Sequence, residues 1–425
     1  MRIPGPAGML RPVLRDFLGH GRGKVLVFCW LGWLFDFYDL VLFAFTKSRI
    51  ASDLGLDLRQ TIPWVEGWTF LATAIGGFLF GRIADRHGRR SALQLSIAVY
   101  SIGALATSFA EGLNSLVLAR IVTGLGVGGE WGIGHAVIAE TYPPHLRGRA
   151  AGILQAATPI AMALAAGVGC LVAPHVGWRA CFLASALPAV LVVFARWAVP
   201  GKVGAAGGGH VPIRALFGRT YWRRSLALLG LLVVHMAGFW STYSWMPTAL
   251  IQELKVTQEQ VFWYQLTVNL GQFGADVAFG FLADRFGRRW VFALLCLFFT
   301  LGISGIALFW GRISGDLQVF TIAMAIAGFG TGTWSCFGPL FTAAYPEQLR
   351  ATAASGFYNL GRGAQFVMQP LLGWLFVLYQ SYVPALWVGA GMGLASALLI
   401  FTVRERYDAV EPDDPQSVRK RPASV

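Results

Sequence analysis

Along the chain, stretches of mainly apolar residues alternate with short polar gaps. Twelve stretches are long enough, at about 20 residues, to cross the hydrocarbon of a bilayer. They begin near Val25, Pro63, Ser91, Asn114, Arg149, Trp178, Arg223, Val261, Trp290, Leu317, Ala351 and Tyr382. Backbone groups in lipid must be paired within their own segment, so each stretch predicts a helix. The ten-residue apolar/polar alternation of a membrane barrel does not occur in the sequence.

Composition agrees with this pattern. The 425 residues are 56% hydrophobic and 13% charged, whereas a soluble domain carries about 25% charged residues. The net charge of +13 suggests nucleic acid at first sight, but the basic residues cluster in the gaps between apolar stretches. If the N terminus is cytoplasmic, 25 of the 34 Lys and Arg residues fall on the inner side. Only Lys47, Arg49, Arg59, Arg179, Lys255 and Arg312 fall outside. That asymmetry predicts a multi-pass protein of the cell (inner) membrane with both termini cytoplasmic and no nucleic-acid partner. The opening residues lack the compact apolar core of a signal peptide. The five cysteines lie in apolar stretches without metal-ligand spacing and read as packing residues. No Walker lysine, HExxH helix or nucleophile elbow occurs, so no metal, cofactor or enzymatic activity is expected.

The chain repeats itself. GRIADRHGRR (Gly81 to Arg90) matches GFLADRFGRR (Gly280 to Arg289), 199 positions on. ETYPPHLRGRAAG (Glu140 to Gly152) matches AAYPEQLRATAAS (Ala343 to Ser355). Each copy falls at the same place among the stretches of its half. The expected organisation is a cytoplasmic segment 1–24, a six-helix bundle 25–200, a glycine-rich linker 201–222, a second bundle 223–403 and a cytoplasmic tail 404–425. Paired bundles of this kind are a transporter architecture, with the binding site near mid-depth between the halves.

The Gx(I/L)ADRxGRR loop in both halves, with Arg120, Gly124 and Gly126 as RxxxGxG in the fourth stretch, resembles the major facilitator superfamily. The resemblance covers nearly the whole chain. LGWLFDFYDLVLF resembles the DxxD first helix of organic-acid:proton symporters, and GVGGEWGIGHAVIAE the GGEW fourth helix of sialate/lactate and related metabolite symporters. It implies an all-α membrane protein of twelve transmembrane helices in two six-helix pseudo-repeats, working as a monomer. It also implies a gating role for Asp85, Arg89, Glu140 and Arg147, locking helix ends when the inner side is closed. The second half offers Asp284, Arg288 and Arg350 but alanine where Glu140 would be, so a weaker latch is expected there.

Ionisable residues at membrane depth cost about 2.5–3.5 kcal/mol each and need partners or water. Asp36 and Asp39 share one helical face. Two carboxylates this close disfavour double ionisation, which suits a proton-binding site. Arg120 is the expected counter-ion of Asp39. Tyr38-Asp39 matches the Tyr-Asp pair of sugar:proton members, so Asp39 is expected to take the proton, with Asp36 tuning it. The alternative is a structural ion pair. Glu130 is either a second proton site or a polar contact between helices. Ser355, Asn359, Arg362, Gln365 and Gln369 form one polar stripe on the eleventh stretch. Arg362, always charged and able to grip a carboxylate with two bonds, is the expected anion anchor, beside Asn359 and Gln365. His235, Tyr243 and Asn269 are expected to line the same site. An interhelical network without ligand is the alternative.

GLGVGG at Gly124 to Gly129 fits a dinucleotide fingerprint, but it follows no strand, and small residues there suit close helix packing. The sequence thus predicts a secondary transporter importing a small organic anion, a monocarboxylate, together with protons. The alternatives are a proton-coupled symporter of a neutral sugar or polyol and a non-transporting membrane sensor.

Overall fold

A computed structural model describes residues 18–19, 21–199, 213–313, 317–345 and 347–403. The expected N-terminal segment lies almost wholly outside them, as do linker residues 201–212, tail 404–425 and the side chains of Asp284 and Arg350. Among the described residues the chain is helical throughout its ordered elements, with no strand.

The first half holds α1 (Arg22–Asp53), α2 (Ile62–His87), α3 (Arg89–Ser108) and α4 (Leu113–Thr141). In it α5 comprises Pro144–Gln155, Ala157–Gly167, a π-helical turn Val168–Val172 and Ala173–Val176, and α6 comprises Trp178–Ala184 and Ala189–Ala198. The second half holds α7 (Trp222–Tyr243, then Met246–Gln252), α8 (Gln258–Phe286), α9 (Arg288–Leu308) and α10 (Leu317–Gly330, a 3₁₀ turn Thr331–Thr333, then Trp334–Ala344). It closes with α11 (Glu347–Gly363, then Gln365–Tyr379) and α12 (Val383–Leu399).

The repeat seen in the sequence is also a repeat of backbone geometry. Gly88 joins α2 to α3 at φ 90°, ψ 154°, and Gly287 joins α8 to α9 at φ 85°, ψ 139°. A positive φ here is strained for any side chain, so glycine lets one residue reverse the chain between two helices. The halves meet along α2 with α11 and along α5 with α8. Exchanging the halves turns one of these contacts into the other, as a two-fold pseudo-axis requires.

The α4 glycines do what their spacing suggested. A Cβ on Gly128 would lie 2.1 Å from the Thr73 carbonyl oxygen of α2, and one on Gly126 would lie 2.3 Å from the Tyr100 amide of α3. The absent side chains let α4 lie against both neighbours, and van der Waals packing of this kind holds membrane helices together.

Polarity is distributed inside out relative to a soluble domain. Phe281, Trp197 and Val367 are more than two-thirds exposed, whereas Asp36, Asp39, Arg120, Glu130 and Arg362 are buried. Ten helices are long and apolar enough to cross a membrane by length and composition. α8 and α11 fall outside those ten because of their polar residues, among them Gln265, Asn269 and Gln272 on α8 and Asn359, Arg362, Gln365 and Gln369 on α11. All seven of those side chains are buried, so the polarity faces protein rather than lipid.

Candidate functional site

The site forms where α1, α4, α7 and α11 converge. Asp36 lies fourteen residues into α1 and Arg362 fifteen residues into α11. At 1.5 Å per residue both are roughly 21–22 Å from the end where their helices begin. That end, which also carries the Asp85, Arg89 and Glu140 side chains, is here termed the basic face.

Arg362 is fully buried, and none of its three guanidinium nitrogens has a hydrogen-bond partner among the described residues. It stands over two aromatic rings, Tyr358 at 4.9 Å and Trp33 at 5.4 Å. Both carboxylate oxygens of Asp36, one turn beyond Trp33, are likewise unpartnered. So are both polar atoms of Gln365 and Oδ1 of Asn359. Buried polar groups are ordinarily hydrogen-bonded, and orphans call for an explanation. Here they gather along one stripe of α11 and the facing turn of α1.

Asp39 is placed differently. Its Oδ2 accepts a hydrogen bond from Arg120 Nη1 at 2.7 Å, with both side chains buried. The Arg120 guanidinium also lies over Phe43, 4.9 Å from the ring centre. Glu130 sits against α1, where a Cβ on Gly32 would come 2.6 Å from its Oε2.

On α11, Tyr358 lies one turn from Arg362 towards the basic face, and its ring stacks on Trp131 of α4 at 4.1 Å and 9°. On the other side, Gln369 accepts a hydrogen bond from Trp245 Nε1 at 2.8 Å. Trp245 carries Lys47 Nζ 3.2 Å from its ring centre. Lys47 in turn donates to Glu66 Oε1 at 3.1 Å and to Ser244 Oγ at 3.0 Å, and Ser244 donates to the same Glu66 oxygen at 2.5 Å. Lys47 and Glu66 belong to the first half, Ser244 and Trp245 to the second. Arg362 therefore lies between two contacts that join the halves, one an aromatic stack and the other the hydrogen bonds and cation–π contact that Ser244 and Trp245 make with the Lys47–Glu66 pair.

The sequence reading missed the Lys47–Glu66 pair, Trp131 and Asp276. Asp276 of α8 accepts a hydrogen bond from Ser335 of α10 at 2.7 Å. Lys47 lies six residues before the end of α1 and Glu66 four residues into α2. Matching charges of opposite sign by depth would have suggested the pair.

Not all expected site residues converge on Arg362. His235 bonds Thr333 at 2.9 Å and packs against Phe292, Trp334 and Phe337 inside the second half. Trp240, five residues later, points instead at Phe37 and Phe70 of the first half. Five residues turn a helix by about 140°, so His235 and Trp240 present to different neighbours. Tyr243 stacks on Phe239 at 4.4 Å, and Asn269 accepts from Gln265 on its own helix at 3.0 Å. At the basic face Arg89 bridges Asp85 at 2.9 Å and Glu140 at 3.2 Å, and Arg147 donates to the Tyr142 carbonyl at 3.0 Å. Arg288 is half-buried at the start of α9.

Two helical bundles related by a pseudo-axis, with unpartnered charges at mid-depth between them, define a membrane transporter rather than an enzyme. The chain belongs to the Major Facilitator Superfamily, whose family model matches residues 29–275 and 228–424. It is 28% identical over 393 residues to the 3-(3-hydroxy-phenyl)propionate transporter of Escherichia coli (strain K12), covering 90% of this chain and 94% of the relative. It is 27% identical over 367 residues to the niacin transporter NiaP of Acinetobacter baylyi (strain ATCC 33305 / BD413 / ADP1), covering 78% and 82%. A crystal structure of a D-xylose-proton symporter superposes with a TM-score of 0.72 at 18% identity, covering 90% of this chain and 98% of that one. That likeness concerns the fold alone.

Proposed function

We propose that the protein imports a small organic anion, a flat or aromatic monocarboxylate, together with protons by alternating access. The observation that carries this reading is Arg362. A fully buried guanidinium with three unpartnered nitrogens, over two aromatic rings, suits a carboxylate attached to a flat body. Gln365 and Asn359 offer amide groups beside it. The names of the relatives, transporters of niacin and of a hydroxyphenyl propionate, support the same chemistry. A first-helix carboxylate is the proton-binding group, and a symported proton offsets the charge of the anion. The basic face is cytoplasmic and the Lys47–Glu66 contact is extracellular, in a cell membrane with both termini inside. The Arg89 cluster acts as the latch of the cytoplasmic side, and one polypeptide suffices for transport.

The test is uptake into proteoliposomes under an inward proton gradient. Nicotinate, benzoate and 3-phenylpropionate are offered beside their amides. Accumulation of an acid, inhibited by acids but not by amides and abolished by a protonophore, is expected. Equal inhibition by amides, or xylose accumulation in place of acid accumulation, would overturn the reading.

A further inference from the structure

The two first-helix carboxylates sit in unlike surroundings. Asp39 already has a cation, Arg120, at 2.7 Å. Asp36 has none within bonding distance among the described residues, although it is fully buried and neither of its oxygens has a hydrogen-bond partner there. An ionised carboxylate in such a place is costly without a counter-charge. The counter-charge within reach is Arg362. Its guanidinium lies over Trp33, one turn before Asp36 on the same helix. The other ionisable groups around Asp36 are Glu130 of α4, Tyr100 of α3, Tyr358 of α11 and Asp39. None of these supplies a positive charge.

We propose that Asp36 and the substrate carboxylate are alternative partners of Arg362, so that Asp36 takes up a proton when Arg362 takes the anion. This rests on the reading of Arg362 as the anchor. In the empty site ionised Asp36 balances Arg362. In the loaded site the anion balances Arg362, and Asp36 is the neutral acid. One proton and one anion enter together, and the charge of the site is the same before and after. Both forms can therefore turn between the two faces without carrying charge through the membrane. An anion without a proton would leave two carboxylates facing one guanidinium, and a proton without an anion would leave Arg362 uncompensated. Either half-loaded state is penalised, and that penalty is the coupling. Asp39 then has a fixed ion-pair role instead of carrying the proton.

Isothermal titration calorimetry of the purified full-length protein in buffers of different ionisation enthalpy tests this. The probe is the tightest binder among nicotinate, benzoate and 3-phenylpropionate. Wild type is expected to take up one proton per anion, so that Kd weakens about tenfold per pH unit above the titration of Asp36. Asp36→Asn is expected to bind with no proton uptake and a flat pH profile. In vesicles it should lose gradient-driven accumulation while keeping counterflow exchange. Anion binding by wild type without proton uptake overturns the proposal whatever the variant does, and so does one proton still taken up by Asp36→Asn. Arg362→Gln separates the two readings. If it binds the anion like wild type, or if none of the three acids binds, the anchor reading fails and this proposal with it. If it loses binding while Asp36→Asn still takes up a proton, only this proposal fails.

Discussion

Arg120 Nη1 lies 2.7 Å from Asp39 Oδ2, and both side chains are buried, at 1% and 0% exposure. Removing one member of such a pair strands the other charge, at a cost of about 3–5 kcal/mol. Asp39→Ala and Arg120→Ala are each expected to lower the midpoint of thermal unfolding in detergent sharply. The double replacement Asp39→Ala with Arg120→Ala is expected to cost less than the sum of the two singles, because no charge is then stranded. Additive single and double losses would contradict the pairing.

Arg362 should not be replaceable by lysine. The guanidinium can bond a carboxylate twice while lying over Tyr358 and Trp33, which an ammonium point charge cannot reproduce. Arg362→Lys is expected to weaken anion binding by at least tenfold and Arg362→Ala to abolish it. Because Trp33 lies under the guanidinium, quenching of intrinsic fluorescence by substrate gives the readout. Wild-type affinity in Arg362→Lys would sink the idea.

The contact of the Lys47–Glu66 pair with Ser244 of the second half predicts a crosslink. Ser48 Oγ and Thr248 Oγ1 are 3.5 Å apart, beside Lys47 and Ser244. The double variant Ser48→Cys, Thr248→Cys is expected to form a disulfide on mild oxidation, stop transport and regain it on reduction. The five native cysteines are all buried, which keeps the background low. Full transport with the disulfide formed would show that this end need not open.

Gly128→Ala and Gly230→Ala should differ in effect despite the same chemical change. A Cβ at Gly128 would strike the Thr73 carbonyl at 2.1 Å, whereas at Gly230 nothing lies within 4 Å. The first is expected to cost several kcal/mol through overpacking. The second is expected to be neutral or to stabilise by about 0.5–1 kcal/mol through helix propensity. Melting curves of the two purified variants compare them directly.

Hydrophobicity made the helices legible because a bilayer imposes a length on each of them. The repeat was legible because Gly88 and Gly287 must meet the same turn requirement. The polar stripe on α11 could be read for a related reason, since charge at membrane depth has few causes. The lateral assignments were harder. Lys47 near the end of α1 looked like one more exterior charge, and only the packing of α1, α2 and α7 shows that it is buried with Glu66. His235 looked like a neighbour of Arg362, yet its ring faces the interior of its own bundle. Sequence spacing gives the angle between two residues of one helix. It does not say which neighbour that helix will turn towards.

The polarity of α8 and α11 has a consequence for how the protein is made. Neither would partition readily into lipid alone, since α11 brings Arg362 and α8 brings Asp276 to membrane depth. Their main contacts with the first half are α5 and α2, made earlier in synthesis. The first bundle therefore offers a prepared surface for the two least lipid-compatible helices of the second. Biogenesis then has a direction, in which the first six helices act as a scaffold that lets the last six be retained in the bilayer.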